Sequence, residues 1–592
     1  YDPRSYMAQS VPKRMAIISA GVIMNVIFAF VMASIAYGLG VKEVPCIVRG
    51  VVPGGAAWKE DLQPGDIVQR VGKIPNPRFR DLISGVTLGD IENGIEFEIK
   101  RPGAEKTLDV TLHPDSSLGI PMIGIVGPWS TSLIDDPEIK PTLRYSPARR
   151  AEPPFEPGDR LVKMNDVAIE TEVDIERALL RYADEPITVT VERAAKVKTN
   201  PPQPKGENAE GEQAAELPKT VLMKVDSTPL RGYGLVMTME PIFAVQHGSP
   251  AAEGGIRAGD RLVSIDGQEI GDPVTLPIRI RRAAEAGKTL SIVIERDVDG
   301  ASQQQSFEIR PRATEFDDEL LPMNPMSVPA LGISYKVSTK VAAVDPGSPA
   351  ADANIKPGDE VISVKLTSPA DDKKNADREK DLTDSSPIEF SDKDPAWPYF
   401  ILELMPFVDP HAQAKFEIRS GKTSRSVDLI STELRDPSGK TYHTAARGFI
   451  FQPLYSMHTA GDFAEAIRLG ARETRDNLML VFRFLEKIGR QVPVTGMAGP
   501  IEIFRQAGNA AQQGLAELLL FLTMLSANLA VLNFLPIPLL DGGHMVFLLY
   551  EGIRGKPASE RVIVAFTYVG LVFLLSLMLF VLALDTHLIP RR

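Results

Sequence analysis

Apolar residues gather into three long runs, and between the first and second the pattern changes to short alternating stretches divided by turns. Met15–Val41, Leu518–Leu540 and Val562–Leu584 contain no charged residue. Each run exceeds the roughly 20 residues that cross a hydrocarbon core, so three membrane helices are predicted. Pro536 and Pro538 should break the second near its end, because an internal proline removes a helix hydrogen bond and crowds the preceding turn. Lys13 and Arg14 precede the first run, and Arg554, Lys556 and Arg561 lie between the second and third. By the positive-inside bias both places are cytoplasmic and the long middle region lies outside the cytoplasm, weakly opposed by Arg591 and Arg592. Asp462 to Ile488 reads as an amphipathic helix that links the middle region to the second run and can lie on a membrane surface.

The middle region repeats one phrase about every 100 residues: "LQPGDIVQRVGKI", "FEPGDRLVKMNDVAI", "IRAGDRLVSIDGQEI" and "IKPGDEVISVKL", with turns ending at Asp66, Asp159, Asp260 and Asp359. Gly-Asp after proline or alanine suits a tight turn, the alternation that follows is a half-buried strand, and Asp266-Gly267 is a hairpin turn. "PGGAA" at 53–57, "HGSPAAEGG" at 247–255 and "PGSPAADAN" at 346–354 each read as a short helix entered through a small-residue cap. The second copy departs there, with "YSPARRAEPPFEPGD". These phrases resemble PDZ domains of the form found in bacterial membrane and envelope proteases. The resemblance implies a loop whose backbone amides receive a peptide's terminal carboxylate beside an open sheet edge. The nearest loop matches are "LGI" at 118–120, "YGLVM" at 233–237 and "LGISY" at 331–335, which makes Gly119, Gly234 and Gly332 the candidate loop glycines. Two polar inserts, Lys198–Thr220 and Ser368–Asp394, should be loops outside the cores.

Length and charge narrow the classes. A chain of 592 residues exceeds one core. With 65 basic against 77 acidic residues its formal charge is −12, which argues against nucleic acid as a partner. The single cysteine, Cys46, excludes an internal disulfide.

The chemistry-bearing stretch is "SANLAVLNFLPIPLLDGGH", Ser526–His544, which ends an apolar run on a lone carboxylate, Asp541. An ionised group near a membrane segment is a functional hypothesis by default, although a carboxylate can also merely cap a helix in the interface. The stretch resembles the second active-site motif of the site-2 protease family of intramembrane zinc metalloproteases, Asn followed by Asn-x-x-Pro-x-Pro-x-Leu-Asp-Gly-Gly. The resemblance makes Asp541 a ligand of Zn2+ and makes Asn528, Asn533, Pro536 and Pro538 the shapers of the site and the grip on an extended substrate. "SAGVIMNVIFAF" resembles the family's Gly-Pro-x-x-Asn segment with Gly21 and Asn25 kept and Val22 in place of proline, which adds Asn25 to the substrate-binding set. "AGPIEIFRQAG", Ala498–Gly508, resembles its Gly-Pro-Ile segment. Together with the PDZ copies the order along the chain is that of the regulator of sigma-E protease type, although that branch commonly carries two copies rather than four. In such a site zinc with three protein ligands activates water, and a glutamate moves the proton.

That chemistry needs His-Glu-x-x-His on a helix, and the sequence contains none. His544, three positions after Asp541, is a bystander in the family pattern. Two accounts follow: an N-terminally truncated member whose first catalytic helix is missing, which is favoured, or a catalytically dead, membrane-anchored PDZ scaffold or adaptor. As it stands the chain should neither hold zinc tightly nor cleave peptides. The expected architecture is multi-domain, an α-helical transmembrane core with three spans plus four α/β-mixed, strand-rich PDZ-like domains. Its parts are a basic segment and membrane helix at 1–45, the four PDZ-like domains at 46–115, 116–228, 229–314 and 328–434, a linker at 446–514 and two membrane helices at 515–592. The resemblance further implies a multi-pass protein of the bacterial inner membrane, with its PDZ region extracytoplasmic. Its implied partners are membrane-anchored protein substrates, peptide C-termini and the lipid bilayer.

Overall fold

The computed structural model describes residues 6–592 apart from 90, 116–120, 137, 195–218, 368–385, 392–395, 587 and 590–592. Gly119 and nearly all of both polar inserts therefore lie outside the described residues.

The repeated phrase folds the same way four times. Gly65, Gly158, Gly259 and Gly358 take φ of +91°, +78°, +92° and +91°, a left-handed turn that favours glycine. The aspartate that follows is buried in every copy. Its carboxylate accepts from the amide three residues back, at Gln63, Glu156, Arg257 and Lys356, over 2.9, 2.8, 2.7 and 3.1 Å. Its carbonyl accepts from Val48, Leu133, Ile242 and Val341 of the unit's first strand. Arg101, Arg193 and Arg296 neutralise the first three carboxylates at 2.9, 2.7 and 2.6 Å, whereas the fourth accepts from Ser420 Oγ at 2.6 Å and has Arg425 farther off, at 3.7 Å. A charge this buried is tolerable only when paired or hydrogen-bonded. At Asp266 and Gly267, φ values of +51° and +73° make the hairpin turn that the dipeptide predicts.

The units are not consecutive along the chain. Strand β1 (Leu235–Val245) and strand β3 (Ile333–Val344), with the short strand β2 (Met326–Val328) before the latter, form a common antiparallel ladder. The second half of β1 opens the third unit and its first half completes the fourth; β3 does the reverse. The chain before each unit's short helix bonds the carbonyl of the loop glycine that completes that unit: Val52 to Gly124, Leu143 to Gly448, Gln246 to Gly332 and Asp345 to Gly234. Boundaries drawn from repeat spacing thus assign each shared strand wholly to one unit. Gly332 belongs with the third unit and Gly234 with the fourth, the opposite of a 229–314 and 328–434 division. The first unit is closed by Ile123–Val126, beyond 115, and the second by Phe451–Pro453, which pairs with Trp129–Leu133 although nearly 320 positions apart. Gly124 and Gly448, in "MIGIV" and "ARGFIF", are loop glycines that the sequence reading did not name.

Among the described residues three helices are long and apolar enough to cross a membrane: α1 (Val11–Leu39), α4 (Leu515–Phe534) and α6 (Glu560–Asp585). The amphipathic helix α2 (Phe463–Lys487) starts at Asp462, whose carboxylate caps the Glu465 amide at 2.7 Å. It crosses α1 where a Cβ on Gly470 would meet Ser34 Oγ at 2.1 Å. Next to that crossing, Glu473 is buried and binds Arg80, Arg78 at 2.9 Å and Tyr37 Oη at 3.0 Å. The first repeat unit, the amphipathic helix and the end of the first span are thereby joined through one carboxylate. Helix α3 (Pro500–Gln513) begins inside the Gly-Pro-Ile segment, and Asp585 at the end of α6 accepts from Gly499, Ile501 and Glu502 amides at 3.0, 3.0 and 3.2 Å.

Candidate active site at the broken membrane helix

Proline sets the local geometry. Helix α4 ends at Phe534, and Leu535–Leu540 turn back before α5 (Asp541–Arg554) begins. Leu539 holds φ of +73°, a left-handed conformation that costs a branched residue on the order of 1–3 kcal/mol and recurs at functional sites. The turn lies so close over the start of α5 that a Cβ on Gly542 would meet Leu535 O at 2.1 Å, and one on Gly543 would meet Ile537 O at 2.3 Å. The Gly-Gly pair is therefore the steric condition for the fold-back. Pro538 packs on the third span, where a Cβ on Gly570 would meet its Cβ at 2.3 Å.

Asp541 is the first residue of α5, and Leu540 is the cap. Its side chain points at the first span: a Cβ on Gly21 would lie 3.6 Å from Oδ2. One turn on, the Asn25 carbonyl accepts from Ser526 Oγ at 2.9 Å, and a turn further Ala29 O accepts from Thr523 Oγ1 at 3.2 Å. Small buried residues, Ala29 and Ala33 on α1 with Ala527 and Ala530 on α4, allow this close approach. Arg14 at the base of α1 pairs with Glu551 near the end of α5. Asp541 and Asn25 are therefore brought to one junction of α1, α4 and α5. Asn528 and Asn533 lie on α4 and are half-buried, and of the two prolines Pro536 is the exposed one. Ser526, Thr523 and Asp585 were not singled out from the sequence, and their only signal was a polar residue within or at the end of an apolar run.

Zinc requires three protein donors and an open position. Among the described residues no three His, Cys, Asp or Glu side chains gather into such a group, and His544 is exposed on α5. Asp541 is a suitable oxygen donor. The described residues around it do not make up the donor set the metal requires, so by themselves they do not fit it.

A family model described as Peptidase family M50 matches residues 2–577. The chain belongs to this family, the site-2 proteases, whose metal is zinc. Among its curated relatives, "Regulator of sigma E protease" of Haemophilus influenzae is 26% identical over 358 residues, covering 60% of this chain and 72% of that protein. "Protease RseP" of Yersinia pestis is 27% identical over 339 residues, covering 56% and 67%. Its namesake from Photorhabdus luminescens is 35% identical over 148 residues, covering 25% and 60%. Other relatives are named as zinc metalloproteases. A solved PDZ domain protein from Parabacteroides distasonis covers 66% of this chain at 10% identity and a TM-score of 0.15, too low a likeness to bear on the fold.

Proposed function

We propose that this chain supplies the aspartate arm and the substrate-facing framework of an intramembrane zinc endopeptidase that acts in regulated intramembrane proteolysis. In this reading the protein sits in the bacterial inner membrane, its four repeat units are extracytoplasmic PDZ domains that bind or gate membrane-anchored substrates, and Asp541 is a zinc ligand. The observation that carries it is the placement of Asp541 at a proline-broken span, aimed at Gly21 with Asn25 one turn away. Among the described residues no cationic side chain forms an ion pair with this carboxylate, and a bound divalent ion would offset its charge. Asn528, Asn533 and Pro536 are the groups that would hold an unwound substrate strand, whose amides lose their helical partners before cleavage. When bound, zinc would supply Lewis-acid activation of water. The chain's own contribution is the donor oxygen, the fold-back that fixes it and the amide-rich junction around it.

The test uses the full-length gene product in lipid nanodiscs. Asp541→Asn should lower retained zinc and abolish cleavage of a single-span reporter while the protein stays folded; wild-type turnover in that variant refutes the ligand assignment. The alternative reading is a membrane-anchored PDZ scaffold, which a sequence without His-Glu-x-x-His also fits. It predicts no zinc retention by the wild-type product and no effect of the substitution on partner capture.

A further inference from the structure

Each unit presents a strand that follows its loop glycine, and a peptide adding to that unit would pair with the strand's free edge, beside the unit's longer helix. In the third unit this place is taken. The first residues of β3 pair on one side with β1, Ile333 opposite Val245 and Tyr335 opposite Ile242. On the other side they pair with β2, antiparallel, Ile333 opposite Val328 and Tyr335 opposite Met326. The loop amides are taken as well: Leu331 and Gly332 N–H both donate to the Val328 carbonyl, at 2.9 and 2.8 Å. Those are the donors that would otherwise meet a terminal carboxylate. Met326, Ser327 and Val328 are buried, Val328 completely. Beyond them lies the helix Leu276–Glu285, and a cavity of about 110 Å³ is lined in part by its Pro277 and Ile278 and by the strand's Met326 and Ser327.

The fourth and second units differ from this. Before the fourth unit's loop, Arg231–Gly232 pairs with Thr432–Glu433, and among the described residues the free edge of Leu235–Met237 carries no added strand. In the second unit a cavity of about 360 Å³ separates the loop residues Arg447–Phe449 from Ile175 and Leu179 of the helix Glu172–Arg181. The strand is also tied outward. Just upstream of it, Asp318 accepts from Trp58 Nε1 of the first unit at 2.7 Å, and the Glu319 amide donates to Val51 O at 3.2 Å.

We infer that the third unit's groove is occupied by the chain's own residues Met326–Val328 as an internal ligand, so that this unit receives no external peptide and braces the array against the first unit. The inference rests on the PDZ reading of the units. A strand tethered by only four residues, 329–332, meets its groove at an effective concentration on the order of mM or more, which a free peptide must overcome.

The experiment uses the full chain in detergent and a pool of biotinylated ten-residue peptides with free C-terminal carboxylates and a photoreactive benzophenone. Labelling should map to the second or fourth unit and spare residues 276–285 and 333–337, and the amides of 326–335 should exchange with deuterium as slowly as the rest of the shared ladder. Val328→Asp should expel the strand and raise labelling of the third groove at least tenfold. Labelling of that groove in the unmodified protein, or exchange of 326–328 as fast as an exposed loop, overturns the inference. If Val328→Asp unfolds the unit, Met326→Ser, which removes apolar contact without adding charge, should give a smaller gain at the same groove. If no unit is labelled in any variant, the PDZ reading fails, while slow exchange at 326–335 still upholds the internal strand.

Discussion

Asp541 owes its position to residues that carry no charge. The turn that delivers it requires hydrogen in place of a side chain at two neighbouring positions, so Gly542→Ala should be far more harmful than its chemistry suggests. An overpacked contact with a backbone carbonyl, 2.1 Å from the added Cβ, predicts a loss of about 1–3 kcal/mol, visible as a lower thermal midpoint in detergent. Gly508→Ala is the matched control: nothing lies within 4 Å of its Cβ and it sits inside α3, so about 0.5–1 kcal/mol of stabilisation is expected. Within the repeats, the carboxylate after each Gly turn is legible from the phrase, but the arginine partner that follows 34 to 36 positions later in the first three is not, because nothing in local periodicity marks it. Arg296→Met leaves Asp260 buried without its counter-charge. A cost of about 3 kcal/mol is expected, read as faster hydrogen exchange confined to the third unit.

At the scale of elements, the amphipathic helix was readable from Asp462 to Ile488, and its cap and its end fall on those two residues. Its destination was not readable. Amphipathicity says that one face is buried and is silent on whether lipid or another helix covers it; here α1 covers part of it at Gly470 and Ser34. Gly470→Leu should separate the two helices and expose residues 456–462 to proteinase K, which cuts without needing a basic residue. Glu473→Gln should weaken the junction less, since Tyr37 and Asn477 can still bond an amide. Accelerated cleavage in the glutamine variant equal to that in the leucine variant would show that charge, not close packing, holds the crossing.

At the scale of the whole molecule, residues of the first and second units meet Glu319 and Glu403 at a buried acidic junction. Arg49 stacks on Trp129, 3.9 Å from the ring centre, and lies 3.7 Å from both Glu172 and Glu176 and 2.6 Å from Glu319. Asp317, Asp318, Glu403 and the Arg447 side of the loop complete the lining. Burial pushes the carboxyl groups up, Glu172 to about 7, Glu176 to about 8, Glu403 to about 7 and Asp318 to about 6, with neighbouring carboxylates adding to the effect at each and Arg49 opposing it at the three glutamates. Raised folded-state values mean that the native state binds more protons than the unfolded chain across the interval above the ordinary carboxylate range. Their stabilising contribution is therefore complete at low pH and is lost as pH rises toward about 8. The thermal midpoint of the full chain should increase between about pH 8 and about pH 6, and Glu176→Gln should flatten that slope. A midpoint that falls on acidification over this range contradicts the assignment.

The sequence alone determined what depends on neighbours along the chain: three spans from uninterrupted apolar runs, four Gly-Asp turns from a repeated phrase, a proline-broken helix and the family motif around Asp541. Tertiary structure decided what depends on residues far apart. It exchanged strands between adjacent units, because strands of 11 and 12 residues are long enough to serve two small sheets each. It closed the second unit with residues near 450, turned Asp541 toward Gly21 and seated Met326–Val328 in the third groove. Strand pairing satisfies backbone groups without regard to sequence distance, and no local pattern records which edge a given strand will find.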